Sequence, residues 1–335
     1  MIKLAIDLGS SVTKIYRADA TNGIVLTEPS CVAVTGEERE IRAIGKDAKK
    51  LIGKTTELTH IVYPVYEGEI VDAKLAAAML KEFLAKAGIN TTLKRSETVF
   101  AVPCGAEGSL LEGYADLAKE CGLRKVRFVE VPYLAAVGAD VALGEDNPVL
   151  CMDVGGGVSN VAVVSSAGMI AGLSMNIGGN NMDANVMDKI AKEKGLNIGF
   201  LSAERIKNEI GSLSPSARGT TVAEGSSTQT YRPSSVSVSA VEIADCIRVY
   251  IDKVLEYSTI VLNRLPAEVA AEVNQNGIFL SGGIMKIPYV AEYISKKMDM
   301  RAHICDEPQF AVIRGGGAVV RDKKLLEKVA IKTVE

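Results

Sequence analysis

"LCMDVGGGVSN", residues 150–160, places an aspartate two positions ahead of three consecutive glycines, directly after an apolar run. An apolar run that breaks into Asp-x-Gly predicts a buried strand ending in a tight turn. The chain opens on a near copy, "LAIDLGSSVTK" (4–14). Laid over one another, "DLGSSVTKIYRADATNGIV" (7–25) and "DVGGGVSNVAVVSSAGMIA" (153–171) bring Asp7 onto Asp153, Gly9 onto Gly155, Val12 onto Val158 and Thr13 onto Ser159. Each copy predicts strand, glycine turn, strand. A repeat this distant implies two similar α/β domains facing one another, the other reading being chance likeness between two hairpins.

The stretches around the repeat agree with an α/β class. "IVDAKLAAAMLKEFLAKAGIN" (70–90) has an acidic cap at Asp72, helical periodicity and a stop at Gly88, and it leads into the strand-like "ETVFAVP" (97–103). In the second half "VEIADCIRVYIDKVLEYSTIVLNRL" (241–265) reads as a long amphipathic helix, and "GIFLSGG" (277–283) as a buried strand ending in glycines. Residues 211–239 are rich in Ser, Thr and Gly. A disordered linker is one reading, but the alternation in "SSVSVSAVEI" (234–243) favours short exposed strands in a small subdomain. The amphipathic tail "DKKLLEKVAIKTVE" (322–335) predicts a helix that closes the first domain.

At 335 residues the chain is long enough for two domains. A net charge of −3 offers no electrostatic grip on nucleic acid. The six cysteines show no CxxC spacing and only two histidines occur, so a zinc site is not expected; the cysteines are expected to be reduced and structural. Strand-like "IKLAIDLG" at residues 2–9 leaves no room for a signal peptide, and no apolar run reaches the roughly 20 residues that span a bilayer. The expected location is the cytoplasm.

Glycine turns have a chemical use. Their backbone can approach a ligand closely, and amides pointing one way make an anion nest. Two such turns, one per domain, would clamp a polyphosphate from both sides. A carboxylate beside each turn repels phosphate directly, but makes sense if it holds Mg²⁺ through water, since that ion dehydrates reluctantly and neutralises phosphate charge. Further glycine turns are expected at Gly282-Gly283 and Gly315-Gly316-Gly317. The plainer reading of each is that it only ends a strand. No GxxxxGK[ST] occurs, which excludes a P-loop NTPase.

These residues resemble the actin-like ATPases, a superfamily that includes sugar kinases and heat-shock chaperones. "IDLGSS" (6–11) and "MDVGGG" (152–157) resemble its two phosphate motifs, and "FLSGGIMKIP" (279–288) its adenosine motif. The likeness is nearest to bacterial actins of the MreB kind, through "YPVYEGEIVDAKLAAAMLKEF" (63–83), "IGGNNMDANVMDKI" (177–190), "AERIKNEIGS" (203–212) and "DEPQFAVIRGGGAVV" (306–320). The chain is too short for a heat-shock chaperone.

The resemblance implies an α/β, actin-like ATPase fold with two related domains around a nucleotide cleft, each with a small inserted subdomain. The first would take 1–142 plus 320–335, with its subdomain at about 33–65. The second would take 143–319, with its subdomain at about 178–245. It implies ATP and Mg²⁺ as cofactors, with Asp7 and Asp153 organising the metal, through water, and the attacking water. Gly9, Ser10, Ser11, Lys14, Gly155, Gly156 and Gly157 would hold the phosphates. Glu204 and Lys207 would flank ribose and adenine; three apart on one helical face, they also read as a surface ion pair. Gly282, Gly283 and Ile284 would border the adenine, with Ile284 standing where many relatives have glycine.

It further implies a homopolymer filament, with adaptor proteins as possible partners and cell-shape determination as its role. A plasmid-segregating filament of the ParM kind is the nearest alternative. From another class come a monomeric small-molecule kinase, for which no convincing substrate base is found, and a nucleotide sensor that neither polymerises nor turns over. Two departures stand out. The family sets a Glu or Gln directly before the proline of a helix start, whereas "FVEVPYLAAVGAD" (128–140) has Val131 before Pro132 and its carboxylate, Glu130, one position early. Either the backbone bulges to deliver Glu130 to the water, or hydrolysis is slow. And the loop "AGINTTLKRS" (87–96) offers only Ile89 and Leu93 to a membrane, beside Lys94 and Arg95, so that weak peripheral anchoring at the inner membrane face and an ordinary solvated loop both fit.

Overall fold

The computed structural model of the chain describes residues 1–54, 58–90, 95–144 and 147–331. Two five-stranded sheets dominate it. The first runs, edge to edge, Val126–Glu130, Ser96–Val102, Ile2–Leu8, Val12–Arg17, Ile24–Pro29. The second runs Ala302–Ile304, Ile278–Ser281, Val149–Val154, Ser159–Ser165, Gly168–Met175. Position by position they have one plan. A central strand has an antiparallel hairpin partner on one side and a parallel strand on the other. The repeat seen in nineteen aligned residues therefore extends over whole sheets. Each central strand is flanked on both sides, and Val149–Val154 is buried at every residue, which is why it reads as an apolar run rather than an alternation.

Helices cover the sheets for legible reasons. Asp72 caps Ala73–Lys86 by accepting the Leu75 N–H at 2.9 Å, and Leu75, Met79, Leu80 and Phe83 form its buried stripe. Gly88, at φ 68°, turns the chain out of the helix. Ile89 then donates its N–H to Leu84 O and is only 5% exposed within the first core. It seals the helix end, so the expected membrane prong is corrected: a side chain held in the core has nothing to offer a lipid. Leu93 lies outside the described residues. The tail forms the helix Lys323–Val329, and Ile331 N–H reaches Phe128 O on the edge of the first sheet.

The Ser/Thr/Gly-rich stretch holds strands. Thr220–Ser227 and Pro233–Ser239 pair antiparallel and, with Leu196–Asn197, make a small three-stranded sheet. The first half carries its own, from Val32–Thr35, Glu40–Ile44 and Thr59–Val62, with the short helix Lys46–Lys49 between the last two strands in the chain. One expectation fails. Gly315-Gly316-Gly317 is not a turn but lies within the helix Ala311–Arg321. A Cβ on Gly315 would land on the Leu134 carbonyl oxygen, and one on Gly138 on that of Ala311. These glycines exist so that the helices Val131–Gly138 and Ala311–Arg321 can touch backbone to backbone. Among the described residues no helix is long and apolar enough to cross a membrane.

Candidate functional site

Between the two sheets lies a cleft of about 560 Å³. Both hairpin turns project into it. Asp7 sits opposite Lys14 in the first hairpin and Asp153 opposite Asn160 in the second, the same register in both. The turns also meet. A Cβ on Gly156 would collide with Ser11 Oγ, and one on Gly157 would lie 2.8 Å from Ser10 Oγ. Glycine at 156 and 157 is thus required by the close approach of the turns. Ser11 Oγ donates to Asn180 Oδ1 at 3.0 Å, and Ser10 Oγ accepts the Gly68 N–H at 3.2 Å. Both hydroxyls are thereby fixed at the mouth of the cleft.

The two carboxylates are held differently. Asp7 accepts from Lys14 Nζ at 2.7 Å. Asp153 is opposite Ser281 on its parallel neighbour and accepts that hydroxyl at 2.7 Å. Burial pushes the Asp153 carboxyl up to about 6; the Ser281 bond opposes this, and the nearby Asp7 charge adds to it. Two acids facing one buried space, with Lys14 as the cation that pairs with Asp7, leave charge for a divalent cation to neutralise. Among the described residues lining the cleft, the side chains able to ligate a cation offer oxygen, from Asp, Glu, Asn, Gln, Ser, Thr and Tyr, with no His or Cys, which suits Mg²⁺. Asn160 closes the ring by accepting the Cys104 N–H at 2.9 Å, tying the second hairpin to the first half.

Glu204 and Lys207 both reach the cleft but do not pair with each other. Glu204 takes Lys49 Nζ at 2.8 Å, from the short helix Lys46–Lys49 of the other half. Lys207 is buried, donating to Asp183 at 2.8 Å and to Gly179 O at 3.0 Å. Burial pushes Asp183 up to about 6, with the Lys207 charge pulling against it. Gly282, at φ 94°, leads into the tight turn Gly283–Lys286, and Ile284 is buried against the cleft wall.

Of the residues expected from the sequence, all but one line the cleft. The exception is Glu130. It ends the strand Val126–Glu130, and its Oε1 accepts the Gly105 N–H at 2.7 Å. Val131, one residue on, faces the cleft instead. Sequence reasoning missed Lys49, Asp183, Asn180, Ser281 and Gln309. Asp183 did leave a signal: it stands three and seven residues before Val186 and Ile190 on a buried helical stripe, where an acid needs a partner.

A family model described as "MreB/Mbl protein" matches residues 1–328. "Cell shape-determining protein MreB" of Escherichia coli K12 is 30% identical over 326 residues, covering 94% of this chain and 92% of that protein. "Cell shape-determining protein Mbl" of Bacillus subtilis 168 is 25% identical over 326 residues, covering 97% of each. The crystal structure of MreB5 of Spiroplasma citri bound to AMPPNP superposes with a TM-score of 0.91 at 26% identity, over 98% of this chain and 97% of that one. The "MamK double helical filament", at 18% identity and TM-score 0.79 over 96% and 99% of the chains, shares the fold.

Proposed function

This chain belongs to the MreB/Mbl family, and we propose that it binds Mg²⁺-ATP in the cleft and polymerises into filaments that determine cell shape. The observation that carries the reading is the pair of glycine turns in identical register, facing each other with Asp7 and Asp153 at their mouths. A family match over residues 1–328 favours this role over plasmid segregation or a small-molecule kinase.

The backbone amides of Gly9 to Ser11 and Gly155 to Gly157 receive the phosphate chain from two sides. Asp7 and Asp153 would hold Mg²⁺ through water, and when bound the ion neutralises phosphate charge. Lys14 holds the Asp7 carboxylate in place, and Ser281 holds that of Asp153. Because the nucleotide touches both halves, binding favours the closed cleft, and closure sets the shape of the surfaces that join subunits. Head-to-tail contacts between identical subunits do not close, so they grow into filaments. Hydrolysis is slow, since Val131 presents no polar atom to an attacking water while Glu130 is engaged by Gly105. An ATP-binding filament with free, mostly buried cysteines fits the cytoplasm, with adaptor proteins linking it to its targets.

Light scattering and high-speed sedimentation with Mg²⁺ and AMPPNP test the reading. Filaments should form without turnover, because binding rather than hydrolysis closes the cleft. Asp153→Ala should keep its fold and lose both ATP turnover and assembly. A wild-type protein that stays unassembled across micromolar concentrations with nucleotide sinks the filament proposal.

A further inference from the structure

We propose that the outer face of the helix Ala240–Leu262 docks against the same face of a second copy of this chain, the two helices running antiparallel. The contact is separate from the cleft and needs no nucleotide. The inner side of this 23-residue helix gives Ile243, Ile247, Ile251, Val254 and Val261 to the second core. Its outer side is not the purely polar surface that solvent favours. Val249 and Ile260 stand out from it at 44% and 42% exposure. Asp245, Lys253 and Glu256 are exposed beside them, as is Arg264 in the turn that follows, whose N–H still reaches Val261 O at 3.1 Å. With about 3.6 residues per turn, these six side chains fall within roughly 100° of arc and form one stripe.

The order of residues in the stripe selects the occupant. Asp245, Val249, Lys253, Glu256, Ile260 and Arg264 are spaced 4, 4, 3, 4 and 4 residues apart, the same from either end. Reversing the order exchanges every charge for its opposite and each apolar residue for the other. A two-fold axis midway between Lys253 and Glu256 therefore sets Lys253 against the second copy's Glu256, Val249 against its Ile260 and Asp245 against its Arg264. Parallel helices would instead bring lysine to lysine and glutamate to glutamate, and like charges repel. Lys253 and Glu256 stand three apart on one helix, yet among the described residues neither has an ion-pair partner; Lys253 lies over the Tyr250 ring at 5.2 Å. Asp245 already pairs with Arg248 of its own helix, so the inner pairs set the register and the outer ones add breadth. A contact that is its own partner closes at two copies, unlike the head-to-tail contacts that build a filament.

Crosslinking of the full chain without nucleotide tests this. A Val249→Cys/Ile260→Cys variant treated with a short bismaleimide should give a covalent dimer and nothing larger, because the two new thiols of one copy meet those of the other. Within one helix the two positions are about 16 Å apart, too far for a short linker to bridge. The parent chain, whose six cysteines are mostly buried, should give no such product. Adding Lys253→Glu sets like charges together at both inner pairs and should cut the dimer yield about fivefold. Adding Glu256→Lys as well restores opposite charges and should return the yield to within about twofold of its starting value, which loss of fold could not do. No dimer from the double-cysteine variant overturns the proposal, and so does a ladder of larger products. It also fails if Lys253→Glu leaves the yield unchanged, or if the charge-swapped variant is as weak as Lys253→Glu alone.

Discussion

Val131 and Glu130 adjoin in sequence but face different surroundings. Val131 stands in the cleft wall, whereas the Glu130 carboxylate accepts the Gly105 N–H at 2.7 Å and is half-sealed from water, which raises its pKa. A slow ATPase follows, and so does a way to speed it. Val131→Glu should raise phosphate release from assembled protein by about tenfold, equivalent to roughly 1.4 kcal/mol of barrier. Glu130→Ala should leave the rate within about twofold, because its side chain already has a partner elsewhere. The opposite pattern, with Glu130→Ala inactive and Val131→Glu unchanged, would mean that the backbone delivers Glu130 to the water after all.

Among the elements, the helix Ala240–Leu262 starts in a capping box: Ser239 Oγ accepts the Glu242 N–H, and Glu242 accepts the Ser239 N–H at 2.7 Å. Lys194 adds an ion pair at 2.7 Å. Hydrogen bonds from Lys194 and Ser239 hold the Glu242 carboxyl down to about 2 from its ordinary 4.5. A depressed pKa stabilises the fold fully above 4.5, and the gain fades as pH falls towards 2. Glu242→Ala should therefore cost about 1 kcal/mol at neutral pH, and the gap between variant and wild-type melting temperatures should narrow as acid titrates that carboxyl. Two helical glycines give a contrast of sign. Gly113→Ala meets open space and should stabilise by about 0.5–1 kcal/mol. Gly315→Ala drives a methyl into the Leu134 carbonyl and should destabilise by about 1–3 kcal/mol or more. Chemical denaturation of both variants measures this, and equal effects would contradict the close helix packing.

Across the whole molecule, the Lys49–Glu204 pair joins the short helix Lys46–Lys49 of the first half to the helix Phe200–Ile210 of the second, with 38% and 32% of the side chains exposed. So exposed a pair contributes little to stability, but it links the two halves beside the cleft that Glu204 lines. Lys49→Ala should speed release of a fluorescent nucleotide by about two- to fivefold, with the melting temperature nearly unchanged; an unaltered release rate would show that the cleft opens without breaking this pair. No sequence signal announced the bridge, since its partners stand 155 residues apart. Nor did the pattern show that Lys207 turns to Asp183 instead of Glu204, or that Gly315 ends no strand. What the sequence by itself determined was local: the two Asp-x-Gly hairpins, the Asp72 cap and the apolar stripes, because turn freedom, capping and periodicity act within a few residues. The doubled sheet plan followed from the doubled hairpin. Only the tertiary structure decided which charges pair across the cleft, which of Glu130 and Val131 faces it, and where glycine serves packing. Those outcomes depend on the orientation of one residue against an element far away in the chain, and a single residue's step along a strand or helix is enough to reverse them.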